Sequence, residues 1–227
     1  AVTLANRPFM IYLFAQIVFI LGVTMTGPAV PYIVRVILGR DEGFAATLSL
    51  SMLPGIVLGF VFIHLLVNRI GTRNSIIVSI LVLGVSMFPY GMLTPSSPGE
   101  PGDTFNVGII VFLTAMKGFS IAGFMILPTV MLGQLIDLDE SRTGANRAAM
   151  FYGVQGLFTK WVYAAAAAIL SFLLSAYGRS AAEPLGVQLI GPVAGTFCLI
   201  GAGLYFLYPE DQVREEAGQP FTPMSAR

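Results

Sequence analysis

Six long apolar stretches, separated by short polar segments, set the most severe limit on what this chain can fold into. A helix that crosses the hydrocarbon core of a bilayer needs about 20 predominantly apolar residues. Since a spanning segment must satisfy its own backbone hydrogen bonds, each stretch is expected to be an α-helix. The sequence therefore predicts an all-α polytopic membrane protein, with six transmembrane helices at about 8–38, 44–67, 74–93, 105–133, 148–177 and 185–208.

The composition agrees with a membrane protein and argues against several other classes. Of the 227 residues, 56% are hydrophobic and 11% are charged, whereas a soluble domain carries about 25% charged residues. The net charge is zero, which gives no indication of nucleic-acid binding. One cysteine, Cys198, and one histidine, His64, cannot build a disulfide or a zinc site. No nucleophile–base pair or phosphate loop is recognisable, so we expect neither an enzyme nor a resident cofactor.

The distribution of Lys and Arg between the loops predicts the orientation of the helices. Cytosolic loops carry an excess of positive residues. If both termini share one side, that side carries Arg7, Arg69, Arg73, Arg142, Arg147, Arg214 and Arg227, and the other carries Arg35, Arg40 and Arg179. We therefore expect both termini to be cytosolic, in a plasma membrane or bacterial inner membrane. Residues 1–208 would form the bundle and residues 209–227 a polar cytosolic tail.

Two lysines lie within the predicted spans, Lys117 in the fourth and Lys160 in the fifth, and no Asp or Glu of the sequence lies at their depth. An ammonium group in hydrocarbon is costly, so it normally faces a bundle interior or an aqueous cavity and has an anionic partner. The chain supplies none. The partner is therefore expected to come from a substrate or from another protein segment, as in a larger transport assembly.

The fifth span also carries a polar stripe. Tyr152, Gln155, Thr159 and Tyr163 recur at helical spacing, and Lys160 with its neighbour Trp161 lies beside them. Hydroxyls, an amide, an ammonium and an aromatic platform suit a polyhydroxylated or anionic ligand. The alternative is an interhelical hydrogen-bond seam whose lysine reaches the interface. The predicted substrate or coupling site comprises Lys160, Gln155, Tyr152, Thr159, Tyr163, Trp161 and Lys117.

Several segments follow one another in an order typical of a single transporter family. They are Asn6–Phe9 with Pro31-Tyr32, Asn68–Arg73, Asp137–Glu140 with Thr143, Gly144 and Arg147, and Tyr152–Gln155 followed by Lys160. In this order they resemble the carboxy-terminal half of the glycoside–pentoside–hexuronide:cation symporters. These belong to the major facilitator superfamily and include the sodium/melibiose symporters. The resemblance covers the whole chain as helices seven to twelve.

The resemblance implies one half of a facilitator-type bundle that transports a sugar or related small solute by cation-coupled symport and alternating access. It implies that Lys160 lies beside the sugar and cation sites, and that Na⁺ or H⁺ is bound mainly by an amino-terminal half. It further implies a cytosolic gate formed by Arg69, Gly71, Arg73, Asp137, Asp139, Glu140, Arg142 and Arg147. Gln134, Asn146 and Ala148 depart from the family by replacing residues that are usually charged.

Three interpretations of the complete assembly stay open. The chain starts as if already in progress, so we expect a fragment whose second six-helix half is a missing segment, a separate chain or a second copy. It could instead be a structural or assembly subunit that retains a transporter scaffold among other membrane subunits, because a fold does not fix a function. A transporter of lysolipid-like cargo is the third. In each case the lipid bilayer is a partner, and the two transport hypotheses add a small-molecule substrate.

Overall fold

The computed structural model describes residues 6–99 and 102–216. Within these ranges the chain forms helices and no strand, which confirms the all-α class. The helices are α1 (Arg7–Tyr32, continued by a π-helical segment Ile33–Ile37), α2 (Glu42–Leu50), α3 (Met52–Met87, followed by a 3-10 segment Phe88–Met92), α4 (Asp103–Thr143), α5 (Ala148–Ala176), α6 (Leu185–Tyr205) and α7 (Glu210–Glu216).

Local sequence signals explain where several of these helices begin and end. The side chain of Asn6 accepts a hydrogen bond from the backbone N–H of Phe9 at 3.3 Å, and Asp41 does the same for Phe44 at 3.3 Å. Such side chains satisfy backbone donors that have no partner within the helix. At the other end of α4, Gly144 adopts a φ of 68° and donates its N–H to the carbonyl of Glu140. Glycine takes this left-handed conformation at little cost, so α4 ends there.

The number of candidate spans differs from the prediction. Five helical stretches are long and apolar enough to cross a membrane, Arg7–Ile37, Glu42–Met92, Asp103–Thr143, Ala148–Ala176 and Leu185–Tyr205, where the sequence predicts six. The predicted second span, 44–67, and all but the last residue of the predicted third span, 74–93, fall within Glu42–Met92. The reason is that the residues from Asn68 to Arg73, which the sequence predicts as a loop, continue the helix on both sides of Gly71. Within this described helix, Gly71 is the one residue with a non-helical backbone between the two predicted spans.

Gly71 nevertheless divides α3 into two arms. Its backbone has φ 84° and ψ 173°, which is not helical and is a conformation available essentially to glycine alone. Ile63 and Ser79 lie equally far from Gly71 in sequence, and both lie against Gly123 of α4. A Cβ atom on Gly123 would lie 2.8 Å from Ile63 Cδ1 and 2.6 Å from Ser79 Oγ. The first arm (52–70) and the second arm (72–87) therefore run side by side.

Replacing Gly71 with alanine is expected to lower the free energy of unfolding by about 1–3 kcal/mol, because an L-residue is strained in this backbone conformation. Its added methyl group would also lie 3.2 Å from a carboxylate oxygen of Glu210. Thermal unfolding of the purified protein, followed by circular dichroism, measures the effect. Gly133→Ala is the control, because a Cβ on Gly133 would meet no atom within 4 Å. Equal stability of the two variants would contradict the expectation.

The bundle is built around α1 and α6, which pack against each other along their length. α5 packs against α1, and α3 packs against both α4 and α6. Large side chains fill the contacts between these helices, among them Phe9, Phe19, Ile80, Leu132 and Phe151. The predicted polar tail begins with α7, where Glu210 and Val213 are buried and the helix packs on α4. Residues 217–227 of that tail lie outside the described residues.

At each end of the bundle, segments that join the helices contact one another. At one end the backbone N–H of Ser96 donates to the carbonyl of Ile37 at 2.8 Å, and the guanidinium of Arg40 pairs with Asp103 at 2.8 Å. At the other end the turn at Gly71 meets the segment that follows α6 through Glu210. Tyr205 at the end of α6 also bonds to Gln16 in the first half of α1. The start of α1, the Gly71 turn and the end of α6 therefore lie at the same end of the bundle.

Candidate functional site

A cavity of about 390 Å³ lies inside the bundle, between the second half of α1, α2, the end of the second arm of α3, α4 and α6. Its volume is in the range of small-molecule sites, about 300–1,000 Å³. Most of its wall is apolar, and four hydroxyl side chains and one lysine supply the polar groups. The lining residues on which the argument rests are Thr26, Ser49, Met52, Tyr90, Thr114 and Lys117.

Lys117 reaches this cavity because α4 approaches the first arm of α3 closely. A Cβ atom on the next residue, Gly118, would collide with the backbone carbonyl of Met52, which itself lines the cavity. A side chain there would push the helices apart. Lys117 lies about 21 Å along α4 from its first residue, at about 1.5 Å per residue, and is partly buried. No carboxylate of the described residues pairs with it.

The predicted stripe of α5 is divided by the packing. Gln155 donates from Nε2 to the hydroxyl of Tyr12 at 3.2 Å, and Thr159 donates to the carbonyl of Gln155 at 2.8 Å. Both are partly buried against the bundle. Tyr152 and Tyr163 lie on the same stripe but are about half exposed, at 49% and 53%. The hydrogen bond of Gln155 to Tyr12 therefore joins the predicted stripe to α1, whereas the bond of Thr159 stays within α5.

Lys160 and Trp161 lie away from the cavity. Lys160 is exposed and is not among the lining residues. Trp161 is 70% exposed, and it follows Thr159 by two residues, which is about 200° around a helix at about 100° per residue. The two predicted lysines thus occupy different surroundings. Lys117 lines the internal cavity, and Lys160 lies on the outer face of α5.

The structure contains a polar network inside the bundle that the sequence interpretation missed. The hydroxyl of Tyr12 donates to the carbonyl of Pro128 at 3.0 Å and accepts from Gln155, so it joins α1 to α4 and α5. The hydroxyl of Tyr205 donates to Oε1 of Gln16 at 2.6 Å and joins α6 to α1. A signal was present in the sequence, since Gln16 is an amide within an apolar span and is expected to face protein rather than lipid.

The predicted gate residues form two separate groups. In the first, the carboxylate of Glu210 accepts hydrogen bonds from the backbone N–H groups of Thr72 and Arg73, both at 2.9 Å. The guanidinium of Arg73 donates to the carbonyl of Tyr208 at 3.2 Å. Gly71 forms the turn beside them, and Arg69 is exposed. Glu210, which the sequence interpretation did not select, is therefore the centre of this group.

The second group lies around the connection between α4 and α5. Arg147 pairs with the buried Asp139 at 3.2 Å. Asn146 donates from Nδ2 to the carboxylate of Glu140 at 3.1 Å, so this departure from the family forms a local hydrogen bond. Asp137 and Arg142 are exposed on the last turns of α4, and Gln134 is buried one turn before Asp137 in the same helix.

Comparison with known proteins identifies the family. The sequence matches the family described as MFS/sugar transport protein over residues 2–208. The chain belongs to this family. It is also 24% identical over 221 residues to an uncharacterized symporter of Synechocystis sp., and the match covers 92% of this chain and 39% of that protein. No solved structure gives a significant match.

Membership of this family confirms the expected membrane transport class and the resemblance to the facilitator-type symporters. It also agrees with the expectation that the chain is not an enzyme, because the family and the relative are transporters. The chain spans less than half the length of the symporter that it matches.

Proposed function

We propose that the chain forms one half of a secondary active transporter for a sugar or related small solute, coupled to Na⁺ or H⁺. The observation that carries the proposal is the match to a sugar-transport family over residues 2–208. The similarity to a symporter supports the coupled mode of transport. A second half would enclose the solute near the middle of the bilayer and alternate access by rocking against this one.

A half of this kind is expected to cross the membrane six times. At about 1.5 Å per residue, the 51 residues of Glu42–Met92 would span about 76 Å as a straight helix, more than twice the hydrocarbon thickness of about 30 Å. The turn at Gly71 and the side-by-side arms support two crossings instead. With the other four spans this makes six, with the start of α1 and the end of α6 on one side of the membrane.

The outer face of α5 is the surface that we assign to the solute pathway. It carries Lys160 between the half-exposed Tyr152 and Tyr163. An exposed lysine at mid-helix would be costly against lipid. Pairing with a carboxylate of the second half, or with a coupled solute, would remove that cost. Lys160 would then respond to cation binding in the other half.

Replacing Lys160 with glutamine is expected to lower coupled uptake at least tenfold, because the charge that pairs across the pathway is lost. Proteoliposomes that contain the purified gene product, given a panel of labelled hexoses and glycosides under an inward Na⁺ or H⁺ gradient, provide the measurement. Lys160→Arg retains the charge and should retain measurable uptake. Arg179→Gln removes a charge from the connection after α5 and should transport normally.

Unchanged uptake by the Lys160→Gln variant would refute the role of Lys160. A stable stoichiometric complex with unrelated membrane subunits, together with no uptake of any labelled solute, would instead support a structural subunit. Uptake of a labelled lysolipid and of no sugar would change the proposed cargo.

A further inference from the structure

We propose that the internal cavity beside Lys117 binds a small amphipathic organic monoanion, such as a medium-chain carboxylate. This site is separate from the α5 face, because the cavity is lined by α1, α2, α3, α4 and α6 and by no residue of α5. The proposal concerns binding and does not depend on coupled transport.

The charge of the cavity selects an anion. Lys117 is the only charged residue among those that line it. The described residues offer this ammonium group no carboxylate. A positive group in an apolar cavity gains more from an anionic partner than it would in water, because the local dielectric constant is low. Because Lys117 is the one charged side chain of the lining, it can balance a single negative charge on a ligand.

The hydroxyl groups of the cavity do not suit a sugar. Thr26 donates to the carbonyl of Val23 at 2.7 Å, Ser49 to Ala45 at 2.8 Å, and Thr114 to Ile110 at 2.7 Å. A hydroxyl has one proton to donate, so these three can offer a ligand only their lone pairs. A polyhydroxylated ligand needs donors as well as acceptors along its whole length. Among the lining side chains, only Lys117 and the hydroxyl of Tyr90 remain as donors.

The remaining wall fits an apolar body. Ala29, Met87 and Ile190 are buried side chains that line the cavity, and Val30, Ile33 and Met52 extend the same surface. Apolar walls around a few placed polar groups are typical of small-molecule sites. The site thus pairs one anchoring charge with a surface that an alkyl chain can cover.

The cavity has an opening through which such a ligand can enter. Four of its lining residues are exposed, Gly27 and Pro31 on α1 and Ala46 and Ser49 on α2. Lys117 lies on α4 and is only partly exposed. A ligand that enters between α1 and α2 would therefore place its anionic group at Lys117 and its alkyl chain along α1 and Met52.

Calorimetric titration of the purified protein in a non-ionic detergent tests this site with octanoate, and titration of protein-free micelles corrects for partition. We expect saturable binding with one site per chain. Octanamide has the same chain and no charge, and it should bind at least tenfold more weakly. Octyltrimethylammonium should not bind, because its charge is repelled by Lys117. These comparisons use the unaltered protein, so they do not depend on any variant folding.

Two variants locate the binding within the bundle. Lys117→Met should weaken octanoate binding at least tenfold, whereas Arg179→Gln, a change of charge outside the cavity, should bind octanoate as the unaltered protein does. Ala46→Trp fills the opening without changing a charge, and it should also weaken binding. Equal binding of octanoate and octanamide, unchanged binding by Lys117→Met, or no saturable binding would overturn the proposal.

The outcome is separable from that of the proposed transport function. Octanoate binding that depends on Lys117, in a protein without coupled uptake, supports the cavity site and counts against the transporter. Coupled uptake that depends on Lys160, without octanoate binding, overturns the cavity site alone.

Discussion

Replacing Glu210 with alanine is expected to lower the free energy of unfolding by about 2–3 kcal/mol, because two backbone donors would lose their partner. The carboxylate accepts the backbone N–H groups of Thr72 and Arg73, both at 2.9 Å. These are the first amides of the second arm of α3, and they have no partner within their own helix. Hydrogen bonds to a charged group are stronger than neutral ones, and a negative charge is favoured at a helix start. Glu210 is only 7% exposed, so little water can reach these two amides once its side chain is removed.

Differential scanning calorimetry of the purified protein in detergent measures this loss. Glu215→Ala is a matched control, because Glu215 is an exposed residue of the same helix, and its replacement should change stability by less than about 0.5 kcal/mol. Glu210→Gln retains one carbonyl oxygen and should fall between the two. If the Glu210→Ala and Glu215→Ala variants unfold at the same temperature, the contact of Glu210 with the Gly71 turn contributes little to stability.

Replacing Gly55 with valine is expected to destabilise the bundle by about 3 kcal/mol or more. A Cβ atom at this position would collide with the backbone carbonyl of Ala115 in α4, and backbone cannot move aside as a flexible side chain can. The first arm of α3 and α4 would have to separate. The same separation would displace Met52 and Lys117, so the cavity should change as well.

Retention of a monodisperse peak in size-exclusion chromatography after heating measures the effect of Gly55→Val. The control is Gly108→Val in α4, because a Cβ on Gly108 would meet no atom within 4 Å. Both changes place a β-branched residue in a helix, so their difference isolates the helix contact. Survival of Gly55→Val at the temperature that the control tolerates would show that the two helices can adjust.

Much of the helical framework could be predicted from the sequence, because the signals are local. The apolar stretches predicted the bounds of α1, α5 and α6 and the start of α4 to within a few residues. The end of α4 was not predicted, because this helix continues to Thr143. That extension carries the acidic run from Asp137 to Glu140, which was interpreted as loop because of its charge. A charged helix can extend beyond the hydrocarbon region, since water solvates its side chains there.

The division of Glu42–Met92 shows where local signals were insufficient. Polar residues between two apolar stretches indicated a loop, but a single glycine suffices for the change of direction. The side-by-side placement of its arms depends on contacts with Gly123 of α4, which lie far away in sequence. Hydropathy alone contains no information on that contact.

The sequence by itself determined that this chain is a helical membrane protein with two lysines among apolar residues, because helix formation and hydropathy depend on neighbouring residues. Only the tertiary structure decided that Lys117 lines an internal cavity while Lys160 lies on an outer face. It also decided that Glu210 binds the turn at Gly71. The surroundings of a side chain depend on how its helix is rotated against the others, and long-range packing sets that rotation.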